Sequence, residues 1–180
     1  GDKSISHRSL IIGSLVNGRI EINNLLESED VIATADALKI LGVKINRLND
    51  KWEVFGSGIG NFFGSNYTLN MGNSGTGARL LMGLVAGSDV EAKFIGDESL
   101  SKRPMKRVTA PLKETGAIIK SETDNLPIII QGSKIPLPIK YQSPISSAQV
   151  KSSILLAGLS SLGKTTVIEP TLSRDHTERM

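Results

Sequence analysis

With 180 residues, 39% of them hydrophobic, the chain is long enough for one domain with a full core. It has no cysteine, which excludes disulfides, thiolate metal sites and a cysteine nucleophile and fits a cytoplasmic setting. Its net charge of +3 and 4% aromatic content speak against a nucleic-acid partner, and no apolar run approaches the ~18 residues of a membrane span.

Three stretches repeat one order of elements. The first, over about 1–60, starts with the small polar "SISHRS", runs into apolar residues at helical spacing such as Leu10 and Leu15, and turns at "VNG" into a β-branched strand, Arg19–Ile22. Ser28 then reads as a helix N-cap with Glu29 and Asp30 in the first turn. Ile32, Ala35, Leu38 and Leu41 form the stripe of that helix and Gly42 ends it. "VKINRL" and "KWEVFG" form a hairpin across Asn49-Asp50, with Trp52 in its core. The second stretch, about 61–135, repeats this plan: a helix in "NSGTGARLLMGLVAG", a strand over Val90–Ile95, a polar knot "DESLSKRP", and a helix with Pro104 in its first turn and Gly116 at its end. "AIIKSE" and "LPIIIQG" pair across Asp124-Asn125. The third, about 136–180, has a helix carrying Val150, Ile154, Leu155 and Leu159, a strand over Thr165–Ile168 and the knot "SRDHTER". Its second helix is only beginning at Met180, so a truncated third unit within a longer protein is expected. The opening residue is glycine, so an earlier piece is expected too, and no apolar segment of secretory type follows a basic start.

"GLSSLGKT", residues 158–165, spells the phosphate-loop pattern G-x-x-x-x-G-K-[ST]. That pattern works only between an incoming strand and an outgoing helix. Here helix precedes and strand follows, and Pro170 blocks a helix soon afterwards. The motif therefore reads as a surface turn, and Lys164 as a solvated residue.

The opposite ends of the helices suit anions better. Lys3, Ser4 and Arg8 surround the start of the first helix. Asn73, Gly75, Thr76 and Arg79 surround the start of the second; Ser147, Gln149 and Lys151 surround the third. Helix N-termini offer unpaired N–H groups and partial positive charge, and hydroxyls, glycines and cations beside them suit phosphate and carboxylate. Singly, each reads rather as an N-cap beside solvated charge; three in register favour an anion site. Arg103, next to Pro104, and Ser173-Arg174 stand at further helix starts where a guanidinium fork suits phosphate. His7 and His176 lack a third ligand for a metal, and Asp175 and Glu178 read as local caps or ion pairs.

"GDKSISHR", "GNSGTGAR", "GDESLSKRPM", "SSAQVKSSILLAGL" and "SRDHTERM" together resemble the EPSP synthase (3-phosphoshikimate 1-carboxyvinyltransferase) family of enolpyruvyl transferases, in that family's order and over essentially the whole chain. The resemblance implies an α/β (α+β) fold of two lobes, each of three helix-and-sheet units with helices inside and small sheets outside. This chain would be most of one lobe, with the second lobe absent. It also implies the reaction: the enolpyruvyl group of phosphoenolpyruvate passes to the 5-hydroxyl of shikimate 3-phosphate with release of phosphate, in aromatic amino acid biosynthesis, without metal or cofactor. By motif match, Lys3, Ser4, Arg8, Ser147, Ala148, Gln149 and Ser173 bind shikimate 3-phosphate. Lys3, Asn73, Gly75, Thr76, Arg103 and Gln149 bind phosphoenolpyruvate, and Lys3 is the catalytic candidate. Alanine at 148, where some relatives have serine, leaves one hydroxyl contact in doubt. Gly77 is expected to face the place of glyphosate, the family's inhibitor. Acid–base groups are expected from the other lobe, so residues 1–180 alone are expected to be inactive. The full-length enzyme is expected to be a cytoplasmic monomer. Two alternatives stand beside this: the sister transferase acting on UDP-N-acetylglucosamine, which usually relies on a cysteine this chain lacks, and a non-catalytic anion-binding domain.

Overall fold

The computed structural model describes residues 1–180 as seven helices and nine strands. α1 (Lys3–Leu15) begins where Asp2 accepts the amide of Ile5, and β1 (Asn17–Asn23) follows it directly. α2 (Glu29–Ile40) starts after Ser28, whose hydroxyl is buried without a partner instead of capping the helix, so only half of that expectation holds. Its end is as expected. Gly42, at φ 94°, lets its own N–H reach Lys39 and that of Val43 reach Leu38. β2 (Lys44–Leu48) and β3 (Lys51–Ser57) form the hairpin, with Asn49 at φ 53° and Trp52 buried.

The second stretch opens with β4 (Phe63–Asn70), then α3 (Gly75–Ala86) and β5 (Asp89–Ile95). A four-residue turn of helix, α4 (Glu98–Ser101), occupies the polar knot. α5 (Lys106–Glu114) begins after Met105, so Pro104 lies ahead of the helix and not in its first turn; the Met105 N–H is taken by Asp124 O instead. β6 (Ile118–Lys120) and β7 (Ile128–Gln131) pair as expected. β8 (Lys140–Gln142), α6 (Ala148–Gly158), β9 (Thr166–Ile168) and α7 (His176–Arg179) complete the chain.

The fold is mixed α/β, with three small sheets around a helical interior. One sheet has the order β1-β3-β2, another β4-β5-β7-β6, and a third is the pair β8-β9. The hairpins attach in the same way twice: β1 and β5 each run antiparallel to the second strand of the hairpin that follows. β4 and β8, unforeseen from sequence, each pair in parallel with the strand beyond the next helix, which makes β4-α3-β5 and β8-α6-β9 crossover units.

α3 sits at the centre. Ten of its twelve residues are buried, among them Leu80, Leu81, Met82 and Leu84. It meets α6 backbone to backbone: a Cβ on Gly83 would stand 2.2 Å from Ser153 O, and one on Gly87 2.6 Å from Ala157 O. This close approach draws the starts of α3 and α6 together, one carrying Gly75 and the other Gln149. The "GLSSLGKT" segment connects the end of α6 to β9, with Lys164 exposed, which is the order opposite to a phosphate loop.

Candidate active site

Four helix starts line one polar cavity of about 410 Å³. Lys3 comes from α1, Glu29 and Asp30 from α2, Gly75, Thr76 and Arg79 from α3, Gln149 from α6; Asn73 and Arg103 come from the loops before α3 and α5. No apolar side chain lines it. Three cations face two carboxylates, and Lys3 is paired with Asp30. A wider recess of about 580 Å³ lies on the outer side of β5, β6 and β7, but no helix start points into it, and Lys93 and Lys120 are its only cations.

The side chains of the cavity hold one another. Arg103 Nη2 donates to Asn73 Oδ1 at 2.5 Å and to Ser99 Oγ at 3.3 Å. Arg79 Nη1 donates to Gln149 Oε1 at 3.0 Å, and Gln149 Nε2 donates to Thr76 Oγ1 at 2.9 Å. Burial lowers the Arg79 pKa from its ordinary value, and the charges of Arg103 and Arg107 lower it further. Such a concentration of positive charge is relieved by an anion. Gly75 is seated between the two guanidiniums: a Cβ there would be 2.9 Å from Arg103 Nη1 and 3.1 Å from Arg79 Nη1.

Six of the expected site residues therefore meet: Lys3, Asn73, Gly75, Thr76, Arg103 and Gln149. The other five, Ser4, Arg8, Ser147, Ala148 and Ser173, line no part of this cavity and form an adjoining polar network. Arg8 is buried. Its Nη1 donates to Ser4 O at 3.0 Å, its Nη2 to Ser152 Oγ at 2.9 Å and its Nε to Thr177 Oγ1 at 2.7 Å. Ser152 Oγ in turn donates to Ala148 O. The Glu169 carboxylate accepts the Ser147 N–H at 3.0 Å and the Ser173 hydroxyl at 2.8 Å, and pairs with Lys151 at 2.9 Å. Burial acts to raise the Glu169 pKa, but these bonds outweigh it and hold it below the ordinary value. For Lys151, burial acts to lower the pKa; the bonds to Glu178 and Glu169 prevail and raise it. The two groups adjoin along the chain at Lys3-Ser4 and Ala148-Gln149.

The chain matches the family model described as EPSP synthase (3-phosphoshikimate 1-carboxyvinyltransferase) over residues 1–180. It belongs to the EPSP synthase family. Among its relatives, proteins named 3-phosphoshikimate 1-carboxyvinyltransferase from Parvibaculum lavamentivorans and Bartonella quintana are 56% and 54% identical to it across the whole chain, covering 40% and 41% of their own lengths. A solved EPSP synthase from Acinetobacter baumannii superposes with a TM-score of 0.93 at 43% identity, over 99% of this chain and 41% of that one. The chain thus spans about 40% of the length of these EPSP synthase relatives.

Some features of the site were not legible in sequence. Glu29 and Asp30 read as first-turn acids of α2, which they are, yet they also line the cavity that the arginines share. Glu169 carried no signal, because its role depends on three partners from other elements. Gly77 is a correction. It lines no part of the cavity, and a Cβ on it would meet Thr34 Oγ1 at 2.3 Å and Ser74 Oγ at 2.6 Å. Gly75, two residues earlier, faces the arginines. The remaining small features are structural: His7 bonds Thr34 Oγ1 through Nδ1 at 2.8 Å, Asp175 pairs with Arg179 and Glu178 with Lys151.

Proposed function

We propose that this chain forms one lobe of an enolpyruvyl transferase that joins phosphoenolpyruvate to shikimate 3-phosphate, with units at about 1–60, 61–135 and 136–180 and a partner lobe contributed by the rest of the same polypeptide. The observation that carries the reading is the convergence of four helix starts on a cavity with three cations and no apolar lining. Such a place suits the phosphate and carboxylate of a small doubly acidic metabolite. Phosphoenolpyruvate would take the contacts of Lys3, Asn73, Gly75, Thr76, Arg103 and Gln149. Arg103 offers a fork to an anionic oxygen pair, and Gly75 allows close backbone approach. Shikimate 3-phosphate would lie along Lys3, Ser4, Arg8, Ser147, Ala148, Gln149 and Ser173. There its phosphate competes with the Glu169 carboxylate for the Ser147 and Ser173 donors. At position 148 only backbone is available to it.

In the reaction, the methylene carbon of phosphoenolpyruvate gains a proton and the 5-hydroxyl of shikimate 3-phosphate attacks C2, losing its own proton. The tetrahedral adduct then expels phosphate and loses a methyl proton to restore the enol ether. Lys3, present at both ligands, is placed to steady the developing charge near the attacking oxygen. Two predicted absences, of cofactor and of metal, belong to this same proposal. In the full-length protein, Lys3→Met is expected to lower kcat by about a hundredfold, and Arg103→Ala to raise the KM for phosphoenolpyruvate by about tenfold or more. Unchanged kinetics in both variants would remove Lys3 and Arg103 from the site; no turnover in the full-length protein, with ligand affinity unchanged in both variants, would leave the non-catalytic reading.

A further inference from the structure

Arg79 stands on the second turn of α3, and the reaction outlined above makes no use of it. Its Nη1 is shared between Gln149 Oε1 at 3.0 Å and Gly75 O at 3.3 Å, and its Nη2 reaches Pro104 O at 3.5 Å. One side chain thereby ties the start of α3, the start of α6 and the loop that carries Arg103.

The tie to Gln149 has a chemical consequence. A primary amide has one end that accepts and one that donates, whereas a guanidinium only donates. Only Oε1 can therefore face Arg79, and Nε2 is turned toward Thr76, whose Oγ1 accepts it at 2.9 Å. Once Thr76 Oγ1 accepts, its O–H is left as a donor. Neither that hydroxyl hydrogen nor the second N–H of Gln149 has a protein acceptor, and both residues line the cavity. With the amide reversed, Oε1 would take the Thr76 hydroxyl, removing that donor from the cavity, and Nε2 would stand against the Arg79 guanidinium, donor against donor.

We propose that Arg79 is a positioning residue: by gripping Gln149 Oε1 it holds the Gln149 amide and the Thr76 hydroxyl with their donors toward the cavity, so that the site selects ligands rich in acceptor oxygens. The inference rests on the anion-binding reading of the cavity given above. It differs from a direct charge effect, in which Arg79 would attract the ligand whatever occupied position 149.

A double-mutant cycle in the full-length protein separates the two. With shikimate 3-phosphate present, Arg79→Met and Gln149→Met are each expected to weaken phosphoenolpyruvate binding by about tenfold, the scale of one charge-assisted hydrogen bond. The double variant is expected to bind no more weakly than the poorer single one. Losses that multiply to about a hundredfold mean that the residues act independently and overturn the inference. The side-chain amide signals of Gln149 in a nitrogen-15 spectrum give a second readout: Arg79→Met is expected to broaden or shift them, and unchanged signals overturn the inference as well. Thermal unfolding checks that each variant folds. If Arg79→Met does not, Arg79→Lys enters the same cycle with the same criterion, since an ammonium keeps the charge but not the fork. Lys3→Ala and Arg103→Ala are measured alongside. No loss of affinity in either defeats the anion reading itself; losses in both, with multiplying effects at 79 and 149, defeat only the role given to Arg79.

Discussion

Gly75 and Gly77 show how much a single position depends on direction. Both stand in the first turn of α3, two residues apart, and the family resemblance led to the expectation that Gly77, beside the ligand-binding Gly75, also faces the pocket. In the fold a side chain at 75 would enter the space of the Arg103 and Arg79 guanidiniums, the mobile ends of long side chains. Gly75→Ala is therefore expected to leave the unfolding midpoint nearly unchanged while weakening phosphoenolpyruvate binding several-fold in the full-length enzyme, by displacing Arg103. Equal affinity in a titration of the two proteins counts against the assignment of that loop. His7 illustrates burial at the same scale. Burial, the largest influence, together with the charges of Lys3 and Arg8, outweighs Asp30 and lowers its pKa from 6.5 to about 4. The unfolded chain then binds more protons than the folded one between those values, so stability falls as the pH drops from about 6.5 to about 4. The loss has a ceiling of about 3 kcal/mol. His7→Asn, which can keep the bond to Thr34, is expected to flatten that part of the profile in denaturant titrations at pH 7 and pH 5.

Among the elements, the α3–α6 pair has the widest influence. Gly83 and Gly87 lie one turn apart on the face that meets Ser153 and Ala157, and they let the two backbones touch. Gly83→Ala would push a methyl group against a carbonyl oxygen, which cannot give way as a flexible side chain can. The expected cost is about 1–3 kcal/mol in a denaturant midpoint, with weaker ligand binding as Thr76 and Gln149 move apart. A stable variant with full affinity would show that helix separation does not control the cavity. The helices and hairpins were largely legible, because Leu38, Leu41, Gly42 and Asn49 combine periodicity with specific turn chemistry. β4 and β8 were not. β4 is mostly exposed and polar, and each of the two pairs in parallel with a strand that lies a whole helix away. A parallel partner at that separation leaves no local signature.

For the whole molecule, the decisive fact is that the chain covers about 40% of its relatives' length. Lys3 and Asn73 remain solvent-exposed at the cavity. Enolpyruvyl transfer with a protonated carbon needs water excluded and acid–base groups brought in, which the second lobe would supply on closing. Residues 1–180 alone are accordingly expected to release no phosphate from phosphoenolpyruvate and shikimate 3-phosphate, and at most to bind the latter weakly in a calorimeter. Measurable turnover in a phosphate-release assay would remove the second lobe from the mechanism.

By itself the sequence determined most of the helices, the hairpin turns and the residue types gathered at each helix start, since these follow from short-range spacing and local backbone preference, and the resemblance of its motifs pointed to the family. Only the tertiary structure decided which of those helix starts share a cavity, that Glu29 and Asp30 line it together with the arginines, that Glu169 holds Ser147 and Ser173, and that Gly75 and not Gly77 faces the site. Those outcomes depend on how closely α3 and α6 approach and on how each helix is rotated about its axis. Both are set by packing between residues dozens of positions apart.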